Sequence, residues 1–173
     1  MKSPPPIAID LYSDTLTQPT PAMRRAMARA EVGDEQKGED PTVNRLQEMV
    51  AELLGKEAAL FLPSGTMCNL IGISLHPRPA DEVIIEARSH PVMSETGGPA
   101  AIAGVMLRGI PTRRGIFTAA DVEAAVRLDT PHNPRTTLVS VENTHNFGGG
   151  ACWPLDTLRE VVAVARRHKL ALH

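Results

Sequence analysis

Apolar residues recur along this chain at two periods. Met23, Ala26, Met27 and Ala30 fall on one side of a 3.6-residue turn, as do Val43, Leu46, Met49, Val50, Leu53 and Leu54, and later Leu158, Val161, Val162 and Ala165. These spacings predict helices over 21–30, 41–54 and 155–169. Thr20-Pro21 and Asp40-Pro41 each place a capping side chain before a first-turn proline, and Gly55 follows the second helix as its stop. Thr118, with Asp121 three residues on, starts another helix over 118–127 with a variant of the capping box. Short apolar runs at 58–62, 82–86, 104–110, 137–141 and 170–172 predict five strands. The first is broken by Pro63-Ser64-Gly65 and followed by a helix over 67–75. Strands alternating with helices imply parallel strands, right-handed crossovers and an α/β layered sheet.

In such sheets ligands gather at the carboxyl ends of strands. Polar clusters stand at those places: Ser64-Gly65-Thr66, Ser89-His90, and Glu142-Asn143-Thr144-His145-Asn146 followed by Gly148-Gly149-Gly150. A strand, a tight turn of small residues and a helix start can hold a phosphate on unpaired N–H groups at the positive dipole end. Taken alone, Ser64-Gly65-Thr66 reads first as a helix cap, and the polar clusters at the other strand ends turn the reading toward a phosphate site. Two other polar stretches lie earlier. Residues 12–21, dense in hydroxyls and closed by prolines, predict an ordered loop, and residues 31–40, on their charges alone, a solvated one.

Composition narrows the function. At 173 residues, 42% of them hydrophobic, the chain can bury a core of one domain, or of a large piece of one. A formal net charge of −2 gives no reason to expect nucleic acid or an anionic membrane as partner. No apolar run approaches membrane-spanning length, and Met1-Lys2-Ser3-Pro4-Pro5-Pro6 is a polar, proline-rich lead rather than a signal peptide, so a cytoplasmic protein is expected. Cys68 and Cys152 have no metal or redox spacing, and His90, His132 and His145 have no ligand spacing, so no metal site is expected. Ser64 lacks the glycine pattern of a hydrolase nucleophile elbow.

Taken in order, these stretches resemble the low-specificity threonine aldolases, pyridoxal-phosphate enzymes of fold type I. The residues carrying the resemblance are Ile9-Asp10-Leu11 with Ser13-Asp14-Thr15; Val32-Gly33-Asp34 with Gly38-Glu39-Asp40-Pro41-Thr42; Gly55 to Phe61 leading into Pro63 to Met67; Ser89-His90; His132 with Pro134-Arg135-Thr136; and Glu142 to Asn146 with the triple glycine. The resemblance implies a three-layer sandwich with a mostly parallel sheet. Residues 1–20 would be an extension and substrate loop, 21–173 part of the cofactor-binding large domain, and the small C-terminal domain would be absent. It implies pyridoxal phosphate as cofactor, with Ser64, Gly65 and Thr66 on its phosphate, His90 stacked on its ring and Glu95 nearby. Ser13 would bind the substrate carboxylate, and His132 would approach the β-hydroxyl. Glu142, Asn143 and His145 would shape the loop at the strand end.

The activity implied is retro-aldol cleavage of a β-hydroxy-α-amino acid to glycine and an aldehyde, with His90, His132 or a water they hold as base. The family's pattern continues past His173 with an Asp and an Arg that hold the cofactor and then a Schiff-base lysine. This chain, whose lysines are Lys2, Lys37, Lys56 and Lys169, is therefore expected to be the N-terminal part of such an enzyme, homo-oligomeric when complete, and inactive by itself. Tyr12, Gln36-Lys37, Pro91 to Ser94 and Asn133 depart from the pattern and predict altered substrate surroundings. A related β-eliminating lyase or a non-catalytic chain is the alternative.

Overall fold

The computed structural model describes residues 9–173, so the expected extension over 1–6 and the start of the extended piece at Ile7 lie outside the described residues. The chain divides into two compact units, one through Phe61 and one from Leu62 to His173.

The first unit holds α1 (Pro21–Arg29) and α2 (Pro41–Leu54), with single 3-10 turns at Asp14–Leu16 and Glu35–Lys37. Both helices start as the sequence predicts. The Thr20 hydroxyl accepts from the Met23 N–H, the Asp40 carboxylate accepts from the Val43 N–H at 2.8 Å, and Gly55 takes the left-handed conformation after α2. Residues 31–39 are exposed, as a solvated loop requires, and the loop is also tied. The second Asp40 oxygen accepts from the Gly33 N–H at 3.0 Å, the Thr42 hydroxyl donates to the Glu31 carbonyl and the Asn44 amide donates to the Gly38 carbonyl. A side chain at Gly33 would meet the Glu39 carbonyl at 2.2 Å. The backbone donors of Val43 and Gly33 hold the Asp40 carboxyl below its ordinary range. The apolar faces of α1 and α2 remain exposed.

Residues 58–62 form no strand, contrary to the sequence reading. An apolar run becomes a strand only beside a ladder partner. Here the Phe61 N–H goes instead to the Gln47 side chain at 2.8 Å, and Leu60 is 66% exposed.

In the second unit, α3 (Gly65–Ser74) precedes β1 (Glu82–Glu86), the short helices α4 (His90–Met93) and α5 (Gly98–Ala101), β2 (Met106–Ile110), α6 (Ala119–Ala125), β3 (Thr136–Val139), α7 (Leu155–Arg167) and β4 (Ala171–Leu172). The four strands are parallel in the order β2-β1-β3-β4. Successive strand residues face opposite sides. Val83 and Leu138 therefore pack with Ile73 of α3, while Ile84 and Val139 pack with Phe117, Trp153 and Val161 beneath α6 and α7. That makes the expected three-layer α/β sandwich. Phe117 and Trp153 meet edge to face at 4.9 Å, worth about 0.5–1.5 kcal/mol beyond the area they bury. The inward face of α7 carries Val161, Val164 and Ala165; Val162, expected there, is only half-buried, because the stripe is centred one position round the helix. The predicted capping box at Thr118 and Asp121 forms with both reciprocal hydrogen bonds.

Candidate active site

The carboxyl ends of β1, β3 and β4 open into a cleft of about 180 Å³, lined by Asn69, His90, Ser140, Glu142, Asn143 and His173. Each reaches it for a local reason. Ser64 caps α3 by accepting from the Met67 N–H at 3.2 Å, so the helix-cap reading of Ser64 is correct. The cap leaves the Gly65 and Thr66 N–H groups at the helix start without intrahelical partners. A side-chain carbon at Gly65 would meet nothing within 4 Å, so the approach to those groups is open. One turn further on, Asn69 shares their side of the helix.

Asn69 Nδ2 donates to Glu95 Oε1 at 2.6 Å, and His90 Nδ1 lies 2.8 Å from the same oxygen. A carboxylate only accepts, so Nδ1 of His90 is the donor, and in the neutral imidazole the lone pair is then on Nε2. The Glu95 side chain is 1% exposed and that of His90 41%. Glu95 Oε2 is buried without a hydrogen-bond partner. His90 is the first residue of α4 rather than a loop residue at the end of β1. Its backbone N–H donates to Glu142 Oε2.

Glu142, Asn143 and His145 build the loop, as expected for shaping residues. Glu142 Oε1 accepts from the Asn146 N–H at 2.8 Å, and Asn143 Oδ1 from the Trp153 N–H at 3.0 Å. His145 is fully buried, with Nε2 on Glu86 Oε2 at 3.1 Å and Nδ1 accepting from the Gly148 N–H. Burial pushes the Glu86 carboxyl up, but the Arg88 N–H, the Thr112 hydroxyl and the His145 side chain outweigh it, and the net shift is downward.

Two groups lining the cleft carry no sequence signature. His173 packs against Gly72, where an added side-chain carbon would sit 2.5 Å from the ring's Cδ2 and 2.7 Å from its Nε2, and its Nδ1 is 3.0 Å from the Ser140 hydroxyl. Burial pushes the His173 imidazole below its ordinary value of 6.5, with the Glu95 charge opposing. Asn69 reads in sequence as one more helix residue. Its three- and four-residue spacing from Thr66 and Gly65 was the available signal.

The structure thus joins His90 and Glu95 directly and links them through Asn69 to α3, whose start carries Ser64, Gly65 and Thr66 one turn away. It does not bring His132 to them. His132 precedes β3, and the neighbouring Arg135 carbonyl accepts from the N–H of Glu82, the first residue of β1, whereas His90 follows the last. Roughly 13 Å of strand separates the two ends. Ser13 lies in the first unit, where its hydroxyl caps the Asp14–Leu16 turn and meets Thr15 Oγ1 at 2.8 Å.

Residues 10–173 match the beta-eliminating lyase family. The chain is 44% identical over 169 residues to the probable low-specificity L-threonine aldolase 2 of Arabidopsis thaliana, covering 95% of this chain and 48% of that protein. It is 42% identical over 166 residues to the low specificity L-threonine aldolase of Escherichia coli K12, covering 95% and 49%. It superposes on a Leishmania major threonine aldolase with a TM-score of 0.74 at 28% identity, covering 87% of this chain and 43% of that one. The chain spans about half the length of the curated relatives it matches.

Proposed function

The chain belongs to the beta-eliminating lyase family, and from that membership we propose that it forms part of a pyridoxal-phosphate-dependent aldehyde-lyase that cleaves a β-hydroxy-α-amino acid of the threonine type to glycine and an aldehyde. Enzymes of this family carry pyridoxal phosphate, and the residues present fit it. An open helix start stands ready for a phosphate, a half-exposed imidazole faces a cleft, and a buried carboxylate oxygen awaits a donor. The observation that carries the reading is the shared Glu95 oxygen, which ties Asn69, one turn from the phosphate turn, to His90.

In this reading the Gly65 and Thr66 N–H groups, with the Ser64 and Thr66 hydroxyls, hold the phosphate. The chemistry the cofactor supplies is a sink for the electron pair released as the Cα–Cβ bond breaks. His90 covers the ring and takes the β-hydroxyl proton on Nε2, and Glu95 keeps Nδ1 protonated so that this lone pair stays available. Ser13 supplies a hydroxyl to the substrate carboxylate. His90, at the cleft, is favoured over His132 as the base. In this reading the enzyme works as a homo-oligomer.

The test is to supply the protein carrying this chain with pyridoxal phosphate and L-threonine, L-allo-threonine or L-serine, and to measure glycine, aldehyde, 2-oxo acid (2-oxobutyrate or pyruvate) and ammonia. Equal amounts of glycine and acetaldehyde are expected from the threonines. His90→Asn should lower kcat about 10²–10⁴-fold while cofactor absorbance persists. Ammonia with 2-oxobutyrate from the threonines, or with pyruvate from serine, in place of glycine would convert the assignment to β-elimination, and no turnover at all would end it.

A further inference from the structure

Two carboxylates cross between the adjacent strands β1 and β3 in opposite directions. Glu86, the last residue of β1, reaches the loop after β3 and holds His145 Nε2 at 3.1 Å. Glu142, on that same loop, reaches back to the segment after β1 and accepts the His90 N–H on Oε2, while its Oε1 holds Asn146 N–H at 2.8 Å. Both partners are fixed from behind. Glu86 is 2% exposed and accepts from the Thr112 hydroxyl at 2.8 Å. The Glu142 carbonyl accepts from Trp153 Nε1 at 2.9 Å. His145 fills the space over Gly115, where a side-chain carbon would lie 2.1 Å from the ring.

The His90 N–H belongs to the first turn of a four-residue helix, and Ser89 before it makes no side-chain cap. Charge-assisted bonds from backbone N–H to carboxylate are the strong ones. Glu95 fixes the far end of His90 through Nδ1, but it cannot fix where α4 begins. Ser89, 1% exposed, anchors the preceding residue to the end of β1, with its hydroxyl at 2.8 Å and its N–H at 3.1 Å from the Glu86 carbonyl, and Glu142 adds the contact on the His90 N–H itself.

We propose that Glu142 is a positioning residue for His90. It sets where the imidazole enters the cleft by clamping the start of α4 to the loop after β3, and the Glu86–His145 pair holds that loop in turn. This rests on the reading of His90 as the proton acceptor, and it adds a role for a carboxylate that touches no reacting atom.

The experiment compares the protein with Glu142→Gln and Glu142→Ala. Two quantities are read: amide hydrogen exchange of His90 and Asn146, and steady-state turnover of L-threonine. Glu142→Gln keeps the shape but removes the charge, and its single acceptor oxygen is left to serve the N–H groups of both His90 and Asn146, so exchange is read at both. Exchange at His90 should quicken about tenfold or more, while amides of β1 stay protected. kcat should fall about tenfold with KM little changed, since the residue acts on placement and not on binding. The Trp153 fluorescence of each variant reports folding, and if the alanine variant is unfolded the glutamine variant decides. Unchanged exchange at His90 overturns the clamp, and faster exchange with unchanged kcat overturns the positioning role. Absence of turnover in the parent protein would instead bring down the proposed reaction; the exchange result would still decide whether the clamp exists.

Discussion

Glu95 shows how much of a site hangs on one side chain. Its Oε1 takes two donors, its Oε2 none, and almost none of it reaches solvent. A free imidazole prefers its proton on Nε2, so the Nδ1 tautomer of His90 depends on the acceptor beside it. In Glu95→Leu, which keeps the volume apolar, the proton should move to Nε2. Nitrogen NMR of the His90 ring reads this directly, and an Nδ1 proton that stays in place would mean that something else sets the tautomer. Glu95 and His90 were legible as members of a motif series. Asn69 was not, because its meaning comes from a partner 26 residues away in the chain. The end of the sheet that His132 occupies was legible and went unused. A residue before a parallel strand lies at the opposite end from a residue after one, and His132 comes before β3 whereas His90 comes after β1.

Elements were legible where a local signal and a packing partner agreed. The helix starts at Thr20, Asp40, Ser64 and Thr118 rest on side chains reaching their own first turn, so short sequence windows contained everything needed. The run at 58–62 had the apolar signal of a strand, but ladder bonds are made between elements, and no window of sequence contains the partner. The seating of α3 on β4 is of the same kind. Gly72 is an interior helix position, where alanine is ordinarily better by about 1 kcal/mol. Here the added carbon would lie 2.5 Å from the His173 ring. The His173 backbone cannot retreat, since its N–H donates to the Val139 carbonyl and its carbonyl accepts from the Val141 N–H. Gly72→Ala should therefore turn the ring off Ser140 and lower the urea midpoint. The same change in a His173→Ala background should be neutral or stabilising by up to about 1 kcal/mol. Additive effects would show that the ring does not press on α3.

At the scale of the second unit, His173, Asp81 and Glu86 pull stability in one direction with pH. His173 is held neutral by burial, its value depressed below 6.5. The unfolded chain therefore binds its proton more readily, and the stability it contributes is present above pH 6.5 and lost as the pH falls from there through the folded value. Asp81 and Glu86 are also depressed. Burial pushes both up. For Asp81, the Arg135 guanidinium at 2.8 Å and the Arg78 N–H outweigh it; for Glu86, the Arg88 N–H, the Thr112 hydroxyl and the His145 side chain do. Their contribution is present above the ordinary values of 3.8 and 4.5 and lost as the pH falls through the folded ones. The three groups sit at both ends of the sheet, Asp81 next to the first residue of β1 and Glu86 at its last, so acid loosens the cleft and the opposite edge together. Trp153, the single tryptophan, is packed on Phe117 in the core and reports this unit. Its urea midpoint should fall in two stages on acidification, one beginning near pH 6.5 and one below about pH 4.5. His173→Gln should abolish the first stage and leave the second. A first stage that survives the substitution would place its origin in another group, and a midpoint that rises on acidification would contradict the sign of all three shifts.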